Sequence, residues 1–108
     1  MLAKRYRLPI QSVVKKSGQT ARSRYFLLKF FPNQLEFNRI GVIISKKVAK
    51  GAVVRNKIKR TLFNSLKEFV KNGGSNKRDF LIIVSPQAAP LPSEDLKKEI
   101  QELLKRTT

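Results

Sequence analysis

Apolar residues recur along this chain with two different periods. From Tyr25 to Phe31 (YFLLKFF) aromatics and leucines crowd a run that reads as a strand. Alternation sends Tyr25, Leu27, Lys29 and Phe31 to one face and Phe26, Leu28 and Phe30 to the other. Pro32-Asn33 supplies a turn, and Arg39 to Ser45 (RIGVIIS) reads as a second strand. The period then becomes helical: Val54, Ile58, Leu62, Leu66 and Phe69 form one stripe over about Ala52 to Lys71, a helix packed on a sheet. Asn72-Gly73-Gly74 ends that helix with residues that tolerate left-handed backbone. Asp79 to Ser85 (DFLIIVS) is almost continuously apolar, as in a strand covered on both faces, and Pro86 closes it. Ser93 is placed to cap a last helix, with Glu94 and Asp95 in its first turn and Lys105 and Arg106 in its last. Leu96, Ile100, Leu103 and Leu104 form its buried stripe.

At the start, Lys4 to Leu8 is basic and extended, because the residue before Pro9 is pushed from helical geometry. A short helix from about Pro9 to Lys16 has Pro in its first turn and is stopped by Gly18. The order helix, strand, strand, helix, strand, helix predicts an α+β fold, a two-layer α/β sandwich.

Charge changes what this scaffold is for. The 108 residues suit one domain, and their net charge is +17. Residues 1–78 hold 20 of the 24 Lys and Arg against only Glu36 and Glu68, a net +18, while residues 79–108 come to −1. The expected division is a single polyanion-binding domain over 1–108: a basic N-terminal segment 1–8, a basic helix about 52–71, and a scaffold 79–108. Self-repulsion at +17 opposes the compact state, and a polyanionic partner relieves it. The chain has no Cys, so a disulfide framework or thiolate metal site is excluded, in keeping with a reducing cytoplasm. The start MLAKRYRLPIQ lacks the apolar core of a signal peptide, and no window approaches a membrane span. A basic chain lying on an anionic membrane would need a broad amphipathic helix and little core elsewhere, unlike these strand runs.

The densest charge lies from Lys46 to Arg60 (KKVAKGAVVRNKIKR), with seven cations and no carboxylate. Such blocks ordinarily repel and stay unfolded, but this one carries Val53, Val54 and Ile58 for docking on a core. At ~100° per residue, Asn56, Arg60, Phe63 and Lys67 share a line opposite the apolar stripe, with Arg55 and Lys59 along its border. Arginine offers a planar donor fork matched to phosphate, and Asn offers both donor and acceptor. A solvated helix would balance such cations with acids at i±4, and here there are none. Phe63 either gives a nucleobase a ring to stack on or packs beneath the first helix or another element. Lys46 and Lys47, at a strand end, alternate between faces. Lys29 either snorkels at a sheet edge or meets a ligand. Catalytic options are thin: there is no His, and four of the seven carboxylates crowd the last helix while Glu36, Glu68 and Asp79 are scattered. Two-metal nuclease chemistry needs carboxylates converging on one spot. No catalytic residue and no metal ligand is expected in the polypeptide.

The run SKKVAKGAVVRNKIKR closely resembles the signature of the bacterial ribonuclease P protein component. Its strand end, basic loop and helix pattern stand here as Lys46, Lys47, Ala52, Arg55, Asn56, Lys59 and Arg60. The resemblance extends through the start from Lys4 to Leu8, Gly18, the strand from Asp79 to Val84 and the last helix. It implies a small RNA-binding cofactor of a catalytic RNA, which with magnesium removes the 5′ leader of precursor transfer RNA. It implies that Lys46, Lys47, Lys50, Arg55, Asn56, Lys59, Arg60 and Lys67 bind RNA, helped by Lys4, Arg5 and Arg7. It places the leader in a cleft between the first helix and the sheet; the candidates this chain offers there are Lys15, Tyr25, Lys29 and Phe63, with Lys15 or Lys29 for the phosphates and Phe26 or Tyr25 for a ring. It also implies a left-handed strand–helix–strand crossover, against the general preference. Two departures stand out: Phe63 replaces a further Arg of the pattern, and Ile10, Val13 and Val14 stand where phenylalanines are common. The partners implied are the catalytic RNA and the leader, with no membrane and no small-molecule substrate. The alternatives are a structural ribosomal protein of similar composition and a protein-only nuclease, which the missing catalytic groups oppose.

Overall fold

The computed structural model describes residues 4–9, 18–72 and 77–107. A 3₁₀ turn at Lys4–Tyr6 precedes β1 (Gln19–Arg22), β2 (Phe26–Pro32) and β3 (Arg39–Ile43). Helices α1 (Ala52–Ser65) and α2 (Lys67–Asn72) lead to β4 (Arg78–Val84), a 3₁₀ turn at Pro86–Ala88 and α3 (Ser93–Lys105). The sheet order is β1-β2-β4-β3, antiparallel except for the β3–β4 pair, which α1 and α2 join as a parallel crossover.

Alternation decides which face of the sheet is covered. Phe26, Leu28 and Phe30 of β2 join Ile40 and Val42 of β3 and Phe80, Ile82 and Val84 of β4 in the main core. Ile58, Leu62, Phe63, Leu66 and Val70 cover them from α1 and α2, and Leu96, Ile100, Leu103 and Leu104 from α3. The second face is covered differently. There Leu8, Phe31 and Leu81 form a small buried cluster, while Ile43 and Ile83 beside it stay half-buried. This is an α+β fold in which the helices among the described residues form one layer on one side of a mixed sheet.

The structure corrects several expected boundaries. β1 is an added edge strand: its sequence QTAR has almost no apolar alternation and its exposure shows why. The long helix breaks at Leu66, where φ −110° and ψ 8° leave the helical region. Ser65 Oγ donates to Leu62 O, competing with the backbone ladder, and Gln101 of α3 donates to Ser65 O at 3.1 Å. Ser93 does not cap α3; Pro92 holds the cap position, and no side chain bonds there. Lys4–Tyr6 is a 3₁₀ turn, and only from Arg7 is the start extended, where Leu8 N donates to Ile40 O on the edge of β3. The first helix expected from about Pro9 to Lys16, with Lys15, Ile10, Val13 and Val14, lies outside the described residues apart from Pro9.

Two polar clusters fix one end of the sheet. Asp79 is buried and is gripped by Arg39, with Nε at 2.8 Å and an η nitrogen at 2.7 Å, while Asn33 Nδ2 adds a third bond at 2.9 Å. That interaction raises the Arg39 guanidinium above its ordinary pKa, chiefly through the hydrogen bond to Asp79. Asn38, also buried, donates to Phe69 O and accepts from Arg78 N, pinning the β2–β3 loop to α2 and β4. Asp79, scattered by sequence, thus has its partners some 40 residues away.

Candidate nucleic-acid interface

Between β3 and α1 the chain makes a tight turn closed by Val48 N donating to Ser45 O at 3.0 Å. Val48 is buried and anchors the turn, leaving Lys46 and Lys47 exposed together. They sit in this turn, past the end of β3 at Ile43, so the alternation expected of a strand end does not separate them. Lys50 and Gly51 follow, also exposed. Gly51 holds the cap position of α1 without a side-chain bond, and the first turn carries no acid. The free amides there add positive potential to that of the lysines.

Arg55 joins loop to helix. One of its η nitrogens donates to both Ala49 O and Lys50 O at 2.8 Å each, and the side chain is only partly exposed. Asn56 and Arg60, one turn apart, are exposed, as is Lys57 between their turns. Lys59 is half-buried, with Nζ 5.8 Å from the Phe63 ring centroid. Phe63 itself is 2% exposed and belongs to the main core. It therefore offers no face to a nucleobase and has no place in the leader cleft. The helix is rotated relative to the expected stripe: Val54 is 45% exposed and Val53 81%, so the buried stripe runs Ile58, Leu62, Phe63, Leu66. Lys67 is exposed beyond the break, on α2.

The remaining candidates lie elsewhere. Lys4, Arg5 and Arg7 are exposed beside the start of β3, where Tyr6 packs edge-on against Phe37. The length of β3, roughly 16 Å, separates them from the Lys46 turn. Lys29 is half-buried on the second face of the sheet, paired across strands with Thr20 and Leu81. Tyr25 belongs to the turn before β2 and packs against the main core, and Phe26 is buried within it. Both rings therefore pack on the main-core side of the sheet. Arg22 and Arg24, unremarked in the sequence, come together around the β1–β2 turn with Arg106 from the end of the last helix, which donates to Arg22 O at 3.4 Å. Only the sheet pairing reveals that.

A sequence model of the ribonuclease P family matches residues 5–108. The chain belongs to the ribonuclease P family. Among its relatives, the ribonuclease P protein component of Caldanaerobacter subterraneus is 35% identical over 97 residues, covering 87% of this chain and 79% of that one. That of Dehalococcoides mccartyi is 37% identical over 93 residues, covering 86% and 74%. The solved RNase P protein of Staphylococcus aureus superposes with a TM-score of 0.80 at 27% identity, over 95% of both chains. The RNase P protein of Thermotoga maritima shares the fold, with a TM-score of 0.81 at 23% identity over 93% of this chain and 98% of that one. Family membership makes this chain part of an endoribonuclease of transfer-RNA processing, and the ribosomal alternative falls.

Proposed function

We propose that the chain binds the catalytic RNA of ribonuclease P through the Lys46–Lys50 turn and the exposed side of α1, and receives the 5′ leader of precursor transfer RNA on the second sheet face around Lys29. One observation carries the reading. Lys46, Lys47, Lys50, Asn56 and Arg60 are exposed on a turn and helix whose other side is core, with no carboxylate among them. The ion pair of Arg39 with Asp79 lies apart from them, on the sheet. Cations held out and unneutralised suit a phosphate backbone. Arg55 serves this surface indirectly, by fixing the carbonyls of the loop that presents Lys46, Lys47 and Lys50.

The bond-breaking chemistry falls to the RNA and its magnesium ions. Among the described residues no three acids, histidines or cysteines gather into a metal site. No helix among them is long and apolar enough to cross a membrane, and cytoplasmic work beside transfer RNA fits a cysteine-free chain. The test is reconstitution, in which the purified chain is mixed with precursor transfer RNA at low magnesium, with and without its cognate catalytic RNA. The expected result is leader removal only with the RNA present and faster with the protein than without. Cleavage by the protein alone, or no stimulation of the RNA, contradicts the reading.

A further inference from the structure

The register of the sheet lines up a second set of cations on the face that carries Lys29. Arg22 of β1 stands directly opposite Leu27, which stands opposite Ile83, which stands opposite Ile43. Residues paired in this way point to one side, so Arg22 shares the face of Lys29 and lies diagonal to it, ~7–8 Å away along the sheet. Beyond Arg22 the chain turns through Ser23 and Arg24, and a concavity of about 300 Å³ opens there. Arg22, Ser23, Arg24, Phe26, Leu27, Ile83 and Ser85 line it, at the end of the sheet. No carboxylate lines it.

The backbone of this corner is fixed, and its guanidiniums are free. Ser23 N donates to Phe26 O at 2.9 Å, and Ser23 Oγ accepts from Tyr25 N and Phe26 N at 3.2 Å each. Ser85 Oγ donates to Arg24 O at 2.9 Å, and Arg106 donates to Arg22 O. The side chains of Arg22 and Arg24 are exposed and make no ion pair or hydrogen bond among the described residues; Arg24 only approaches the Tyr25 ring, at 6.0 Å. Two unpaired guanidiniums and an apolar lining therefore meet at the end of the sheet next to the Lys29 face. That combination fits one chemical class, a single-stranded nucleotide whose phosphate meets the guanidiniums and whose base and sugar lie against the apolar lining.

We infer that this corner seats a leader nucleotide beyond the one at Lys29, so that Arg22 and Arg24 make affinity depend on leader length. The inference rests on the leader reading proposed above, and the experiment separates the two. The holoenzyme is reconstituted with wild-type protein, with Arg22→Ala/Arg24→Ala, and with Arg22→Lys/Arg24→Lys. Affinities are measured for a long-leader precursor, for shortened leaders and for mature transfer RNA. The Ala pair should weaken the long-leader complex by about 3- to 30-fold. It should flatten its log–log salt slope by up to ~1.4 and leave mature transfer RNA unchanged. The Lys pair should keep most of the salt slope, and both variants should unfold at the wild-type midpoint. If the Ala pair binds the long leader like wild type while wild type still prefers it to mature transfer RNA, this inference is overturned and the leader reading stands. An equal loss with mature transfer RNA assigns the arginines to the catalytic RNA and also overturns it. If wild type shows no preference for a leader, the leader reading itself fails.

Discussion

Phe63 and Arg55 show how one residue's partners decide its role. Phe63 sits on the basic side of the helical wheel, yet it is buried in the core with Lys59 near its ring. Phe63→Ala should cost ~3–5 kcal/mol in denaturant unfolding, and the folded fraction should bind leader as wild type does. Loss of leader affinity without loss of stability would restore a stacking role. Arg60 is the converse case, exposed and outside the core. Arg60→Ala should leave stability within about 0.5 kcal/mol and flatten the salt slope of RNA binding by less than about one unit. Unfolding of that variant would make Arg60 structural instead. The role of Gly18 is purely steric, since a Cβ there would stand 2.4 Å from Phe31 Cε1 and 2.9 Å from Phe30 O.

At the scale of elements, what was legible in the sequence tracks how much of each element is apolar. β2, β3, β4 and α3 emerged within a residue or two because their periods are strong and their burial follows the pattern. β1 was not legible: an edge strand of Gln, Thr, Ala and Arg gains its order from pairing with β2 and carries no period of its own. The break at Leu66 was hidden too, since Ser65 is unremarkable until Gln101 of α3 is seen to satisfy its carbonyl. For the candidate site, charge singles out the run from Lys46 to Arg60, but the rotation that exposes Val54 and buries Phe63 depends on the packed sheet. Ile58, 4% exposed, survives that rotation, so Ile58→Ala should cost ~2–5 kcal/mol; a near-neutral result would mean α1 is turned otherwise. Likewise Asp79→Ala strands Arg39 and Asn33 and should cost ~2–4 kcal/mol, measurable as a shifted urea midpoint with unchanged slope.

Across the whole molecule, charge and core are segregated. Helices cover one sheet face, the Lys46 turn and α1 display cations beyond it, and the second face offers Lys29 and half-buried aliphatics. With about six phosphate contacts on the Lys46 turn and α1, binding of the catalytic RNA should show a log–log salt slope of ~−4 to −5, and a slope near zero would remove the electrostatic explanation. The absence of native cysteine makes site-specific crosslinking the sharpest probe of the RNA-facing surface. Single variants Lys46→Cys, Asn56→Cys, Arg60→Cys and, on α3, Lys97→Cys each carry a short photocrosslinker in the reconstituted holoenzyme. Crosslinks to the catalytic RNA are expected from positions 46, 56 and 60 and none from 97. Crosslinks mainly from 97, or none from 56 and 60, would contradict an RNA-binding face built on the Lys46 turn and α1.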